Sequence, residues 1–328
     1  MASPLAKIGI ISIGDMGVGL AKLLVAHGFA VATNARGRSA DTLSRAREAQ
    51  VELLASDEDL AQQCAVILSV VPPRDAAATA QRVVDAVTGP LPRRRDADPL
   101  YFADLNAVAP ASVRRIAALF GSTQVAGAVR FVDGCILGGP PARKPDSANG
   151  SGGEWNRPSI PTSGPYELSA IAGFGAALAS TLNMRHIGPE IGAASGLKMC
   201  FASFSKGFTS IAIQSFTTAS RLGVLGDLQR ELQAVLPAHH AQAAKGVVGM
   251  APKAYRWVGE MEEIARTFAD EGGFAPDTFV GAAAVYRTVA DDTALGREKI
   301  GKRQRGTTVE DVAAAMVEGM QTKRKKTD

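Results

Sequence analysis

A glycine-containing turn near the N-terminus has the residue types and spacing of a phosphate-binding turn. Gly14 and Gly17 lie between an apolar run at residues 7–13 and an apolar pattern of helical spacing that Gly28 ends. This order of strand, turn and helix brings backbone close to a pyrophosphate and points a helix N-terminus at its charge. It predicts a dinucleotide site formed by Ser12, Ile13, Gly14, Asp15, Met16 and Gly17.

One position of this turn departs from the usual pattern. Ser12 stands where the first glycine of G-x-G-x-x-G would be, so the turn reads S-I-G-D-M-G. The alternative is a glycine-rich turn that binds nothing, but the flanking strand and helix favour the binding interpretation.

The loop that would meet the adenosine ribose carries arginines and no acidic residue. Twenty residues after Gly14, where NAD-binding sites have an acid for the ribose hydroxyls, residues 33–39 read T-N-A-R-G-R-S. Guanidinium groups bind a 2′-phosphate through paired hydrogen bonds, although they could also be ordinary exposed loop cations. We expect NADP in preference to NAD, bound by Asn34, Arg36, Gly37, Arg38 and Ser39.

The elements that position these residues follow an alternating pattern. Strands are predicted at 7–13, 29–33, 66–71, 101–104 and 129–136, with helices at 42–49, 76–87 and 110–120 between them. Strands alternating with helices indicate a doubly wound, mainly parallel sheet. The cofactor crevice of such a sheet lies at its carboxyl edge, where we expect Val70, Val71, Pro72 and Asn106.

The remaining chain suggests one insertion and a second domain. Residues 142–165 are rich in Pro, Gly, Ser and Asn and predict a surface loop or lid, with Trp155 as its large apolar contact. Residues 166–171, 178–182 and 184–187 resume the alternation and should finish the sheet. Residues 193–222 predict one long apolar helix, followed by shorter ones.

The predicted fold is therefore an α/β Rossmann domain at residues 1–190, with the insertion at 142–165, followed by an all-α domain at 191–328 for substrate binding and dimerisation. The long helix is unusually apolar for a surface helix, which predicts a homodimer.

Composition excludes several classes of function. The 328 residues are 46% hydrophobic and 21% charged, with a net charge of +4 from scattered basic residues, which argues against nucleic acid. Three cysteines and four histidines lack metal-ligand spacing, so no metal is expected. There is no run of eighteen apolar residues and no signal-peptide pattern, so we expect a cytoplasmic protein without membrane contact.

The motifs resemble a known family, the β-hydroxyacid dehydrogenases, which are relatives of 6-phosphogluconate dehydrogenase. I-G-D-M-G at 13–17 and H-G-F at 27–29 are similar to its first turn, G-L-G-x-M-G, and to the end of the following helix. F-V-D-G-C-I-L-G-G-P at 131–140 resembles the substrate motif D-A-P-V-S-G-G. G-A-A-S-G-L-K at 192–198 resembles the start of the helix that carries the catalytic lysine.

The resemblance implies hydride transfer between a nicotinamide and a hydroxy or carbonyl substrate. It makes Lys198 the general acid or base at the oxygen of the reacting carbon, and places Leu137, Gly138 and Gly139 at the substrate. A lysine pKa of about 10.4 must be lowered by burial or by nearby positive charge for that role. The alternative is a lysine that reaches solvent from an apolar helix or pairs with a carboxylate.

Two positions depart from the family's pattern. Leu137 replaces the serine before the paired glycines, and Phe201 and Ala202 occupy the place of the asparagine one turn after the lysine. Both missing side chains would hold polar groups of a substrate. A small, partly apolar substrate is therefore expected.

The C-terminal half is similar to a divergent branch of the family with an uncharacterised phosphogluconate dehydrogenase-like C-terminal domain. The likeness lies in K-M-C-F at 198–201, S-K-G at 205–207 and A-Y-R-W-V-G-E-M at 254–261. Phe201, Tyr255 and Trp257 are candidate substrate residues, with ordinary packing as the alternative.

Two other functions compete. An imine reductase has a related fold and similar stretches at 133–137 and 163–165, but it often carries an acid where this chain has Lys198, and a cationic lysine would repel an iminium ion. A non-catalytic NADP-binding protein would tolerate the losses at 137 and 201, and would bind cofactor tightly without transferring hydride.

Overall fold

The computed structural model describes residues 3–89, 98–122, 125, 127–144, 154–299 and 302–327. The chain divides into two compact units, Met1–Lys198 and Met199–Asp328. The division falls inside a helix that begins at Ala193, beyond the boundary at residue 190 expected from the sequence.

The first unit contains an eight-stranded sheet in the strand order β10-β9-β6-β5-β4-β1-β2-β3. Strands β3, β2, β1, β4, β5 and β6 are parallel neighbours in the order of a dinucleotide-binding fold. Beyond them, β9 runs antiparallel to β6, and β10 runs parallel to β9. The strands are β1 Lys7–Ile11, β2 Ala30–Asn34, β3 Glu52–Leu54, β4 Val66–Ser69, β5 Leu100–Asp104, β6 Val129–Gly134, β7 Ala142–Arg143, β8 Trp155–Asn156, β9 Ile160–Ser163 and β10 Met184–His186.

Helices cover both faces of this sheet. Ile10 and Ile11 are both buried but lie in different apolar clusters, because successive strand residues point to opposite faces. A sheet covered on both faces explains why all four residues of β4 are apolar or small and buried. The helices are α1 Asp15–Ala26, α2 Ala40–Glu48, α3 Asp57–Gln63, α4 Ala76–Thr88, α5 Pro110–Leu119, α6 Gly175–Leu182 and α7 Ala193–Ala202.

The predicted lid at 142–165 is wrong for part of its length. Ile160–Ser163 is a fully buried strand of the main sheet. Its proline and serine are residues typical of loops, so the sequence pattern did not indicate a strand. Strands β7 and β8 pair with each other, and Trp155 packs against the sheet's core with the Arg143 guanidinium 5.5 Å from its ring centroid. Residues 145–153, the rest of the predicted lid, lie outside the described residues.

Other boundaries differ from the expectations. Residues 166–171 contain a short 3₁₀ turn and residues 178–182 lie in α6, so neither is a strand. The sequence pattern also missed β3 and α3, which are only three and seven residues long.

The second unit is helical throughout its described part. The predicted single helix at 193–222 is interrupted by a π-helical turn, Ser203–Gly207, before it continues as α8. The Trp257 indole packs edge-on against the buried Tyr286 ring, with 5.2 Å between the ring centroids. Its helices are α8 Phe208–Arg221, α9 Leu225–Val235, α10 Pro237–Met250, α11 Ala254–Asp270, α12 Asp277–Asp292 and α13 Val309–Thr327.

Candidate active site

The glycine turn between β1 and α1 has one crowded side and one open side. A Cβ added at Gly17 would lie 1.9 Å from the Ser12 carbonyl oxygen, so the close approach requires glycine there. A Cβ at Gly14 would meet nothing within 4 Å, and no side chain caps the helix start at this residue. Open space beside uncapped helix N–H groups fits a pyrophosphate, which the backbone at Asp15 and Met16 would bind.

The end of β2 forms a polar depression of about 300 Å³. Arg36 and Arg38 line it, and neither side chain makes a hydrogen bond or ion pair within the described residues. Gly37 between them has a φ of +69°, a conformation that favours glycine. The full lining is Asn34, Arg36, Arg38, Ser56, Asp57, Glu58 and Arg82.

Ser39, predicted to bind the same phosphate, already has a structural partner. Its hydroxyl oxygen accepts a hydrogen bond from the Thr42 backbone N–H at 3.3 Å and caps α2. From the same helix, Arg45 donates to the Ile13 carbonyl oxygen at 3.3 Å and so braces the glycine turn.

Asn106 ties the ends of two strands together. Its side chain accepts from the Val71 backbone N–H at 2.7 Å and donates to the Ser69 hydroxyl at 3.0 Å, while its own backbone N–H donates to Asp104 at 3.0 Å. The structure therefore brings Asn106 next to residues 70–72, at the carboxyl edge of the sheet where β1 and β4 are neighbours. Its buried amide holds backbone in place.

Lys198 lies on α7, and its amine is held by backbone. Its Nζ donates to the Ile136 carbonyl oxygen at 2.7 Å. Burial lowers the pKa of Lys198 from its ordinary value. Within the described residues it makes no ion pair with a carboxylate, which removes one of the two non-catalytic interpretations of this lysine.

A buried carboxyl group fixes the start of the helix that carries Lys198. Asp133, at the end of β6, accepts from the hydroxyls of Ser163 at 2.9 Å and Ser195 at 2.7 Å. It also accepts from the backbone N–H groups of Gly192 at 2.8 Å and Ser195 at 3.3 Å. Asp133, on β6, therefore caps the N-terminus of α7 in place of a capping side chain from the residues next to the helix.

The same strand end holds α7 at two places. Asp133 binds the first turn of the helix, and Ile136 binds the lysine further along it. Ser163 adds a third link, because its oxygen accepts from the Ala194 N–H at 3.0 Å. Burial raises the pKa of Asp133, although hydrogen bonds from Ser195 and Ser163 oppose the rise.

No sequence pattern assigned a role to Asp133, Ser163 or Ser195. Each lay within a quoted motif, but Ser163 and Ser195 are 30 and 62 residues from Asp133 along the chain. The contacts depend on β9 joining the sheet, which the sequence pattern did not reveal.

Asp104 is a second buried carboxyl group beside the first. It is the register partner of Asp133 on the neighbouring strand, and its Oδ2 has no hydrogen-bond partner in the described part of the chain. Burial, with a further contribution from Asp133, raises the pKa of Asp104 to about 7.

We expect Asp104→Asn to change how stability depends on pH. The Asp104 carboxyl has a pKa of 3.8 in the unfolded chain and of about 7 in the fold, so the folded protein keeps a proton between these values. Stability should fall as pH rises through this window and then level off, by up to about 4 kcal/mol for this group.

An asparagine cannot ionise, so the stability of the variant should lack the decrease with rising pH that Asp104 causes in wild type. Urea unfolding of wild type and variant at pH 4.5 and pH 8 measures it, and the variant should gain stability relative to wild type at the higher pH. A pH-independent difference between the two proteins would contradict the expectation.

The predicted substrate residues divide between the two units. Leu137 exchanges two backbone hydrogen bonds with Ser159, at 2.8 and 3.0 Å, directly after the carbonyl that holds Lys198. Gly138 has a φ of +130°, and Gly139 borders open space. The structure therefore places residues 137–139 beside the residue that holds the lysine.

Phe201, Tyr255 and Trp257 lie in the second unit. Phe201 is on α7 beyond Lys198, and Tyr255 is exposed on α11. The Trp257 ring is already engaged, with the Lys206 amine 5.1 Å from its centroid and the Tyr286 ring on its edge. Lys206 also pairs with Glu260, which favours the packing interpretation of this cluster.

Within the described ranges, no helix is long and apolar enough to cross a bilayer, and no group of three or more His, Cys, Asp or Glu side chains could hold a metal ion. The strand order and the glycine turn are those of a dinucleotide-binding Rossmann fold of the α/β class.

Family models match two segments of the chain. A model described as NADP oxidoreductase, coenzyme F420-dependent, matches residues 7–91. A domain of unknown function, DUF1932, matches residues 219–289. Among curated proteins, none matches the sequence.

Solved structures match nearly the whole chain. A conserved protein of unknown function, described as structurally similar to 3-hydroxyacid dehydrogenases, is 25% identical over 87% of this chain and 97% of its own, with a TM-score of 0.57. The 3-hydroxyisobutyrate dehydrogenase of Mycobacterium tuberculosis, with L-serine, is 16% identical over 95% and 98%, with a TM-score of 0.61. An imine reductase from Myxococcus stipitatus, in complex with NADP+, is 16% identical over 94% and 99%, with a TM-score of 0.52.

These matches confirm the predicted resemblance to the β-hydroxyacid dehydrogenase-like proteins, and with it an oxidoreductase of the NAD(P)-dependent class. They also confirm the fold class, an N-terminal Rossmann-like sheet followed by a helical region.

Proposed function

We propose that the protein is an NADP-dependent dehydrogenase or reductase that acts on a small, partly apolar hydroxy or carbonyl compound, with Lys198 as general acid and base. The observation that carries this proposal is the position of the Lys198 amine. It is held on the Ile136 carbonyl oxygen at 2.7 Å, directly before residues 137–139, and its pKa is lowered by burial.

The chain's own residues account for the proton and for the geometry. A bound nicotinamide supplies or accepts the hydride at the reacting carbon. In reduction, protonated Lys198 donates a proton to the oxygen on which negative charge develops, and it regains a proton from solvent afterwards. A lowered pKa makes that proton easier to give near neutral pH. Asp133 positions the lysine by capping its helix.

The substrate class follows from what surrounds the lysine. Leu137 offers no hydrogen bond from its side chain where the related motif has serine, and residue 202 is an alanine. A substrate with several polar groups would leave some of them unpaired on entering such a site, which costs free energy. An apolar group next to the reacting carbon is therefore favoured.

The preference for NADP is part of this proposal. Arg36 and Arg38 line the depression at the end of β2 and make no ion pair with a carboxylate of the described residues, so both are available to a 2′-phosphate.

Two alanine variants test the pyrophosphate turn. Gly14→Ala should leave thermal stability unchanged, because its Cβ enters open space, yet weaken NADPH binding about tenfold or more by occupying the phosphate position. Gly17→Ala should lower the melting temperature as well, because its Cβ would overlap the Ser12 carbonyl. Fluorescence titration with NADPH and a thermal melt measure both. Wild-type affinity in Gly14→Ala would rule out this turn as the binding site.

Hydride transfer itself is tested with isotopically labelled cofactor. NADPH deuterated at the reactive face of its nicotinamide C4 should yield an alcohol with deuterium on the former carbonyl carbon. Mass spectrometry of the product detects it. If the protein binds the cofactor but transfers no hydride to any carbonyl compound, the non-catalytic alternative replaces this proposal.

A second candidate is NADPH-dependent imine reduction, and one observation favours it. The lowered pKa of Lys198 weakens the repulsion that a cationic lysine would exert on an iminium ion. Cyclic imines reduced as well by Lys198→Met as by wild type would select this candidate, since no proton transfer to oxygen is then needed.

The homodimer also remains a proposal. Phe204 and Leu222 are 81% and 71% exposed along the α7 to α8 segment, and Ile211 between them is also exposed. Such apolar side chains on one helical segment favour a second copy as their partner. Sedimentation of the full chain should give the mass of two subunits.

A further inference from the structure

One ion pair in the wall of the depression at the end of β2 takes no part in the cofactor binding or catalysis proposed above. Arg82 on α4 meets Asp57 at the start of α3, and both residues line the depression together with Arg36 and Arg38. We propose that this pair sets the preference for NADP over NAD. Arg82 binds the Asp57 carboxylate and so prevents it from accepting hydrogen bonds from the ribose hydroxyls. The carboxylate in turn limits how strongly Arg82 can attract a phosphate. The inference rests on the NADP preference in the proposed function.

Two nitrogens of the Arg82 guanidinium contact both carboxylate oxygens of Asp57. Arg82 Nε donates to Asp57 Oδ2 and Nη2 donates to Oδ1, both at 2.8 Å. Paired hydrogen bonds of this kind are among the strongest between side chains. The Asp57 side chain is only 14% exposed, so solvent screens the pair less than it would on an open surface.

Asn34 connects the pair to the arginine loop. Its Nδ2 donates to Asp57 Oδ1 at 2.7 Å, and its Oδ1 accepts from the Arg36 backbone N–H at 2.8 Å. The contact is possible because β2 and β3 are paired, with Asn34 the register partner of Leu54, three residues before Asp57. Three donors therefore occupy the carboxylate of Asp57.

The charge of Asp57 would otherwise favour the other cofactor. An acid near the ribose accepts hydrogen bonds from its hydroxyls in NAD sites and repels a 2′-phosphate. Asp57 is acidic and lies in the depression, but at the start of α3 and not at the end of β2, where that acid is usually found. With Arg82 bound to it, its negative charge is offset and its oxygens are occupied.

The two partners are therefore expected to act in opposite directions. Without Arg82, Asp57 is free to accept from ribose hydroxyls and to repel a phosphate, so selectivity should move toward NADH. Without the charge of Asp57, Arg82 can turn to the phosphate as a third guanidinium, so selectivity should move further toward NADPH. A pair that only stabilises the fold would weaken or preserve both affinities together.

The test is calorimetric titration of wild type, Arg82→Met and Asp57→Asn with NADPH and NADH, and with the fragments 2′,5′-ADP and ADP. Both fragments contain the adenosine ribose without the nicotinamide, and only 2′,5′-ADP carries the 2′-phosphate, so Lys198 plays no part in the result. Arg47→Met, an exposed arginine on α2 outside the depression, matches the charge change as a control. Thermal melts of all four proteins check folding.

We expect Arg82→Met to lower the ratio of the NADH to the NADPH dissociation constant about tenfold or more, and Asp57→Asn to raise it several-fold. The fragment ratio should shift in the same directions, and Arg47→Met should leave both ratios near wild type. Shifts of the same sign in the two variants, or none, would overturn the inference, and if Arg82→Met does not fold, the sign of the Asp57→Asn shift decides alone. A wild type that prefers NADH would instead refute the NADP proposal, whatever the variants do.

Discussion

Lys198→Met is expected to lower kcat for carbonyl reduction by about 10²-fold to 10⁴-fold and to leave the NADPH dissociation constant near that of wild type. Methionine keeps most of the volume and apolar stem of the lysine but has no proton to donate to the developing alkoxide. The turn and the arginine loop that we assign to the cofactor are separate from this residue. The loss should therefore appear in turnover and not in cofactor affinity.

The pH dependence of kcat in wild type and in Lys198→Met tests the role of the lysine. Burial lowers the pKa of Lys198, so wild-type kcat should decline on the alkaline side as its proton is lost, below the pH at which an ordinary lysine ionises. Lys198→Met should lack this decline. Lys22→Met, an exposed lysine on α1, is the matched control. Unchanged kcat in Lys198→Met would remove the lysine from the mechanism.

Asp133→Asn should show the second large effect, on stability and on catalysis together. Its carboxyl group accepts four hydrogen bonds while fully buried, and an asparagine would direct an N–H group at some of these donors. We expect a loss of about 2–4 kcal/mol in the free energy of unfolding. Urea denaturation followed by circular dichroism measures this.

The catalytic consequence of Asp133→Asn comes from the position of α7. If the first turn of the helix is no longer capped, the Lys198 amine loses its fixed distance from Ile136. We expect kcat of the folded variant to fall about tenfold or more, because small displacements of a catalytic group are costly. Ser163→Ala and Ser195→Ala each remove one donor and should give smaller losses of both quantities. A variant that is destabilised but fully active would make Asp133 a structural residue only.

The glycine turn between β1 and α1 could be predicted from the sequence because its signal is local. The apolar run, the two glycines and the amphipathic pattern occupy one continuous stretch, and each reports a conformation that those few residues adopt by themselves. The same holds for the arginine loop after β2. Residues 12–17 and 34–39 accordingly lie at the carboxyl ends of β1 and β2, as expected.

The support for Lys198 could not be predicted, because it comes from residues distant in the chain. Asp133 reaches α7 only when β9 lies beside β6, and β9 contains a proline and a serine that resemble a loop. Asp57 and Arg82 are also distant, 25 positions apart, and they meet because α3 packs against α4. Contacts of this kind depend on the pairing of strands and helices, which local propensity does not encode.

The most direct test of the central claim is NADPH oxidation, followed optically, by wild type and Lys198→Met side by side. The panel consists of keto acids, apolar aldehydes and ketones, and cyclic imines. We expect wild type to oxidise NADPH with an apolar carbonyl compound and the variant to lose this activity. NADPH binding without turnover of any compound, or turnover of imines alone at equal rates in both proteins, would contradict it.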